Sequence, residues 1–177
     1  PELRVDGARL VSTGAIDAGG ARHWGLEGAV QRQGLLIQGE YFDYAIDRRI
    51  AVPGVSDPTF NGWYIEAGYV LTGEARKYNT GTAAFDAPSV EGPWGAWELV
   101  GRYSVLDLDH HEDAALAADR VLGGEQTIWS GGVNWFVNPL VKFGLHYLDV
   151  SVERWDGDGE QAGQDLQAVN LRSQFAF

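Results

Sequence analysis

The chain has 177 residues, a formal net charge of −12 and no cysteine. That excludes a disulfide framework, thiolate zinc sites and cysteine nucleophiles, and so acidic a chain is a poor partner for nucleic acid. At 45% hydrophobic it does not read as disordered, yet no run approaches the roughly 18 apolar residues of a membrane-crossing helix.

Residues 3–13 read weakly as a strand, with Val5, Gly7 and Val11 on the apolar side and Arg4 and Arg9 at opposite parity. From there a period of two takes over, the signature of strands with one apolar and one polar face. In 22–31, Trp24, Leu26 and Val30 oppose Glu27 and Gln31; in 35–44, Leu35, Ile37 and Tyr41 oppose Gln38 and Glu40. In 60–72, Trp63, Ile65, Tyr69 and Leu71 oppose Tyr64 and Glu66; in 94–105, Trp97, Leu99, Tyr103 and Val105 oppose Glu98 and Arg102. In 127–137, Trp129, Val133, Trp135 and Val137 oppose Ser130, Gly132 and Asn134. In 140–150, Val141, Phe143, Leu145 and Tyr147 oppose Lys142, Gly144 and His146. In 166–177, Val169, Leu171, Phe175 and Phe177 oppose Asn170, Arg172 and Gln174. The expected fold is all-β: about eight antiparallel strands of one unit spanning 1–177.

A transmembrane barrel and a soluble sandwich both alternate. Three features favour the barrel. The apolar faces carry Trp and Tyr toward strand ends, and Trp129 and Trp135 lie roughly 20 Å apart at about 3.4 Å per residue. The other face holds Glu27, Glu40, Glu66, Glu98, Arg102, Lys142 and Arg172, which is no packed core. Connections alternate, with tight turns at 32–34 and 138–139 and long loops at 45–59, 106–124 and 153–165, as short turns and long loops do on the two sides of an outer-membrane barrel. Segment 73–93 breaks that rule, being long on the short-turn side; it either folds toward the interior or lies at the rim. Loops 107–124 and 153–165 together carry eight of the twelve excess negative charges.

The stretches Pro1–Gly7 (PELRVDG), Gly95–Ser104 (GAWELVGRYS) and Gly132–Pro139 (GVNWFVNP), with the alternating C-terminal strand ending in Phe177, resemble the phosphate-selective porin O and P family. The resemblance covers most of the chain. It implies the C-terminal half of a sixteen-stranded outer-membrane barrel, usually trimeric, that passes anions through a constricted pore lined by arginine and lysine. The implied function is passive diffusion of small hydrophilic solutes or ions, including phosphate. The implied partners are outer-membrane lipid, sister subunits and the rest of the barrel, and no cofactor is implied. The alternative is a self-contained eight-stranded barrel with a structural or adhesion role, in which residues 3–13 pair with 166–177.

By parity the pore-lining candidates are Glu27, Glu40, Glu66, Glu98, Arg102, Lys142, His146 and Arg172. The cations either line an anion path or pair with the carboxylates beside them. His110 and His111, among Asp107, Asp109, Glu112 and Asp113, read as a solvated loop rather than a metal site, with a short helix over 114–122. Asp156, Asp158 and Glu160 lack the Gly and Glu positions of a calcium loop, since Gln161 and Gln167 stand there. Ser130 and His146 are the best hydrolytic pair, but no orienting carboxylate accompanies them, so no catalysis is expected.

Overall fold

The structure is a computed structural model and describes residues 4–5, 8–156, 158 and 160–176. Two short strands come first, β1 (Arg4–Val5) and β2 (Ala8–Arg9), followed by β3 (Ala18–Arg32), β4 (Leu35–Arg48) and β5 (Thr59–Val70). After a small hairpin, β6 (Tyr78–Asn79) and β7 (Ala84–Phe85), come β8 (Ala96–His110), β9 (Val121–Asn138), β10 (Val141–Glu153) and β11 (Leu166–Phe175). The seven long strands form one antiparallel sheet in the order β11-β10-β9-β8-β5-β4-β3. It is a meander in which each strand pairs with the next long strand of the sequence.

Period-two alternation is what lets these segments be strands, and the register keeps every apolar set on one side. Trp24, Leu26, Val30, Trp63, Ile65, Tyr69, Trp129, Leu145, Val169 and Leu171 are all exposed, Leu171 at 74%. In water each large side chain so placed would forgo roughly 1.5–3 kcal/mol of burial; facing lipid, it forgoes nothing. The rings on this face gather in two belts. Toward the tight turns, Trp97 stacks on Trp135 (centroids 5.2 Å), Trp135 meets Phe143 (5.8 Å) and Phe143 meets Phe175 (6.3 Å). Toward the long loops, Trp24 meets Tyr41 (5.3 Å), Trp63 meets Tyr103 (5.3 Å) and Tyr103 meets Trp129 (4.3 Å). Paired aromatic girdles flanking an apolar band are the pattern of outer-membrane barrels.

Several expectations need correction. The sheet has seven strands rather than about eight, because the described residues of the N-terminal segment do not join it: among them β1 pairs only with β2. Beyond that hairpin the chain crosses the interior face near the long loops. There Leu10 and Val11 pack with Ile128, Val150 and Val152, and Ser12 N–H donates to Gly123 O at 2.8 Å. Val11 is 2% exposed, so its apolar character serves a core on the interior face. Among the described residues, β11 does not pair with the N-terminal segment, as the self-contained eight-stranded alternative requires, and β3 and β11 are open edges.

The expected loop 106–124 is strand at both ends, since β8 runs to His110 and β9 starts at Val121, and the connection shrinks to residues 111–120. Charged residues here mark strands that outrun the apolar band, and the expected helix over 114–122 is one 3-10 turn, Ala117–Asp119. The tight turns stand as expected. At one of them Asn138 Oδ1 accepts from the N–H groups of Leu140 (2.8 Å) and Val141 (2.9 Å), closing the Pro139–Leu140 corner. Phe177 lies outside the described residues.

Candidate functional site

All eight residues expected on the polar face stand on one face of the sheet, opposite the aromatic belts. Glu27 and Glu40 pair across β3 and β4, Glu66 and Arg102 across β5 and β8, and Gly144 brings Arg172 beside β10. A cavity of about 810 Å³ opens on this face, and Glu27, Glu66, Glu98, Arg102, Lys142 and His146 line it. Glu40 and Arg172 stand outside that lining.

The centre of the face is a set of paired charges. Arg102 Nη1 donates to Glu66 Oε2 at 3.0 Å, Gln38 Nε2 donates to Glu66 Oε1 at 2.5 Å, and the Arg102 guanidinium lies 3.8 Å from the Tyr64 ring centroid. Glu98 is 1% exposed. Buried so deeply, a carboxylate needs donors on both oxygens: Arg76 Nη2 serves Oε1, and Asn134 Nδ2 serves Oε2 at 2.9 Å. Asn134 Oδ1 in turn meets His146 Nε2 at 3.1 Å. The register sets His146 opposite Gly132, where an added Cβ would come within 2.3 Å of its ring. Glycine is what lets the imidazole lie flat against the wall. His146 bonds Asn134 rather than Ser130, so the candidate hydrolytic pair is not joined.

Arg76 is the residue that the periodicity did not identify as part of this face. It sits in the connection from β5 to β8, and the structure folds that connection over the interior face. Gln31 holds it by two bonds, Nε2 to Arg76 O (2.8 Å) and Arg76 N–H to Oε1 (3.1 Å). Its Nη1 donates to Asp86 O at 3.0 Å. Tyr78, Ala84 and Phe85 of the β6–β7 hairpin then line the same cavity as Lys142 and His146. The signal in the sequence was indirect: a long segment on the short-turn side, and a strand carboxylate at 98 with no cation at the matching register.

Charge is not spread evenly. The β3–β4 side shows Glu27 directly opposite Glu40. On the other side stand Lys142, His146 and Arg172, with Lys142 Nζ 4.7 Å from the Phe136 ring centroid. Among the described residues no carboxylate pairs with Lys142 or Arg172.

At the long-loop end, the expected solvated loop proves partly buried. His110 is 9% and Asp119 8% exposed. Hydrogen bonds from the Ser56 hydroxyl, His111 and the Ser56 N–H hold the Asp119 carboxyl well below the usual carboxylate range. Nearby, burial and the charges of Asp109, Asp107 and Asp113 push the Glu112 carboxyl up.

The sequence model described as "Phosphate-selective porin O and P" matches residues 1–177. Porin O of Pseudomonas aeruginosa is 32% identical over 155 residues, covering 82% of this chain and 34% of that protein. An uncharacterized protein of Caulobacter vibrioides is 31% identical over 153 residues, covering 83% of this chain and 28% of that protein. The chain thus spans about a third of the length of the curated relatives it matches. A match over the whole chain, on a sheet with lipid-type belts outside and paired charges inside, fixes the assignment: the chain belongs to the phosphate-selective porin O and P family of the bacterial outer membrane.

Proposed function

We propose that this chain is the C-terminal wall of an outer-membrane pore through which small hydrophilic solutes or ions diffuse passively, anions such as phosphate among them. The observation that carries the reading is the division of the sheet into an aromatic-belted apolar face and a cavity-bearing face of charged side chains. The sheet edges at β3 and β11 are then closed by further strands of the same barrel, because unpaired backbone in hydrocarbon costs several kcal/mol per group. The family's usual homotrimer is the assembly this reading adopts.

In this reading Lys142 and Arg172, in no ion pair among the described residues, attract the anion along the β10–β11 side. Glu66 and Glu98 neutralise Arg102 and Arg76 and so fix those cations in place. The hairpin over the interior face sets the width. A pore needs weak binding at several points, strong enough to draw an ion in and weak enough to release it.

The test is reversal potential in planar bilayers under a KCl gradient, with the full-length porin. Lys142→Glu/Arg172→Glu is expected to lower the anion-to-cation permeability ratio, and phosphate is expected to block chloride current less well. A ratio unchanged by the double charge reversal would remove this wall from the ion path.

A further inference from the structure

The pore reading makes no use of a compact cluster at the long-loop end. His110 closes β8, and His111 follows it in the left-handed region, φ 47°. That corner stacks the two imidazoles with centroids 4.0 Å apart. Asp119, at the end of the 3-10 turn, brings its carboxylate beside them, and Ser56 reaches in from the loop between β4 and β5. One ligand atom each from His110, His111 and Asp119 lies within 4.8 Å of the others. The Ser56 hydroxyl occupies the space between, 2.9 Å from His110 Nε2, 3.2 Å from His111 Nδ1 and 2.6 Å from Asp119 Oδ1. His110 and Asp119 are buried, while His111 is exposed and leaves a way in from solvent.

Two imidazoles and a carboxylate are a donor set that zinc takes in three-ligand sites, with the fourth position left for water or a hydroxyl. Nitrogen-rich donors of this kind suit zinc, copper or nickel and are poor for calcium or magnesium. A tetrahedral ion about 2.0–2.1 Å from each ligand sets them roughly 3.4 Å apart, so the widest pair, within 4.8 Å, closes while His111 Nδ1 and Asp119 Oδ2, now 2.9 Å apart, open slightly. Asp107, Asp109, Glu112 and Asp113 flank the two histidines in the sequence, and a net negative charge in this region raises the local concentration of cations.

We propose that His110, His111 and Asp119 form a binding site for a divalent transition-metal ion of the zinc type, with the Ser56 hydroxyl or a water as fourth ligand. Each imidazole ligates through the nitrogen that now faces Ser56 and carries its proton on the other ring nitrogen. For His111 that nitrogen faces solvent. For His110 it is Nδ1, which now accepts from the Thr59 N–H at 3.3 Å. Binding gives up that long bond and the 2.9 Å bond between His111 Nδ1 and Asp119 Oδ2, which ligation of both groups to the ion offsets. A bound ion ties the loop holding Ser56 to the loop holding Asp119.

The experiment titrates zinc chloride into the full-length porin in detergent against a chromophoric chelator, then repeats the titration with cobalt(II). The expected result is one tight zinc site per chain and the visible absorption of four-coordinate cobalt. His110→Ala/His111→Ala is expected to abolish both. His111→Asn, which removes one ligand and tolerates the left-handed backbone, is expected to weaken zinc at least tenfold and keeps the test decisive if the double variant does not assemble. Equal zinc binding by the native protein and His111→Asn, or a cobalt spectrum of the aquo ion, overturns the proposal.

Discussion

Glu98 is the residue on which the interior face depends. A carboxylate 1% exposed, donated to by Arg76 and Asn134, is stable only while both donors stay. Removing one partner of a buried pair costs more than the pair contributes, because the survivor keeps its desolvation penalty. Glu98→Ala is therefore expected to destabilise the full-length barrel by about 3–5 kcal/mol, read as a lower urea midpoint in lipid vesicles. Glu98→Gln/Arg76→Met, which removes both charges, is expected to cost clearly less. If the single variant costs no more than the double, the pair is not the clamp described. Periodicity placed Glu98 correctly on the polar face, yet its partner was not legible. Strand alternation tells which side a residue faces and is silent about a chain segment that arrives from elsewhere.

The connection between β5 and β8 is that segment. Its hold on the sheet is local and polar: two bonds with Gln31 and the ion pair with Glu98, while the bond from Arg76 to Asp86 O stays within the connection. A small apolar contact adds to these, Val90 packing on Val70, Ala96 and Phe136. Replacing residues 77–86 by a tight turn is expected to raise single-channel conductance, and Arg76→Ala to raise current noise by loosening the hairpin. Conductance equal to that of the native pore would place the hairpin outside the ion path. The strands themselves were legible because period two is written in the residues alone. Their ends were not: β8 and β9 continue past the apolar band through Asp107, Asp109 and Glu125, where the apolar signal stops and pairing does not. The described N-terminal residues stay out of the main sheet for a reason already visible in the sequence, since Arg4 and Arg9 conflict in parity. Its Val11 answers instead to Ile128, Val150 and Val152.

At the scale of the molecule the open edges decide behaviour. β3 and β11 each present a row of unpaired N–H and C=O groups, which hydrocarbon does not tolerate and which other chains readily pair with. Residues 1–177 expressed alone are therefore expected to aggregate or associate through these edges. The full-length porin is expected to give the compact, heat-sensitive band of a closed barrel on unheated gels. A monomeric, protease-resistant, membrane-inserted fragment would contradict this. Closure was beyond the sequence because pairing at the β3 and β11 edges leaves no mark on the alternation of those strands.

The uneven charge of the interior face has one more consequence. The Glu27–Glu40 pair and the Lys142–Arg172 pair stand on opposite sides of the cavity, with β4 and β10 four inter-strand steps of about 4.8 Å apart along the wall. In the proposed pore such an arrangement sets up an electric field across the passage rather than along it. There, a solute that carries both signs, or a strong dipole, is expected to turn to align with that field and cross in one orientation. With a screening length of about 10 Å at 0.1 M salt and 3 Å at 1 M, that alignment fades as ionic strength rises, and discrimination between solutes of equal size and net charge fades with it.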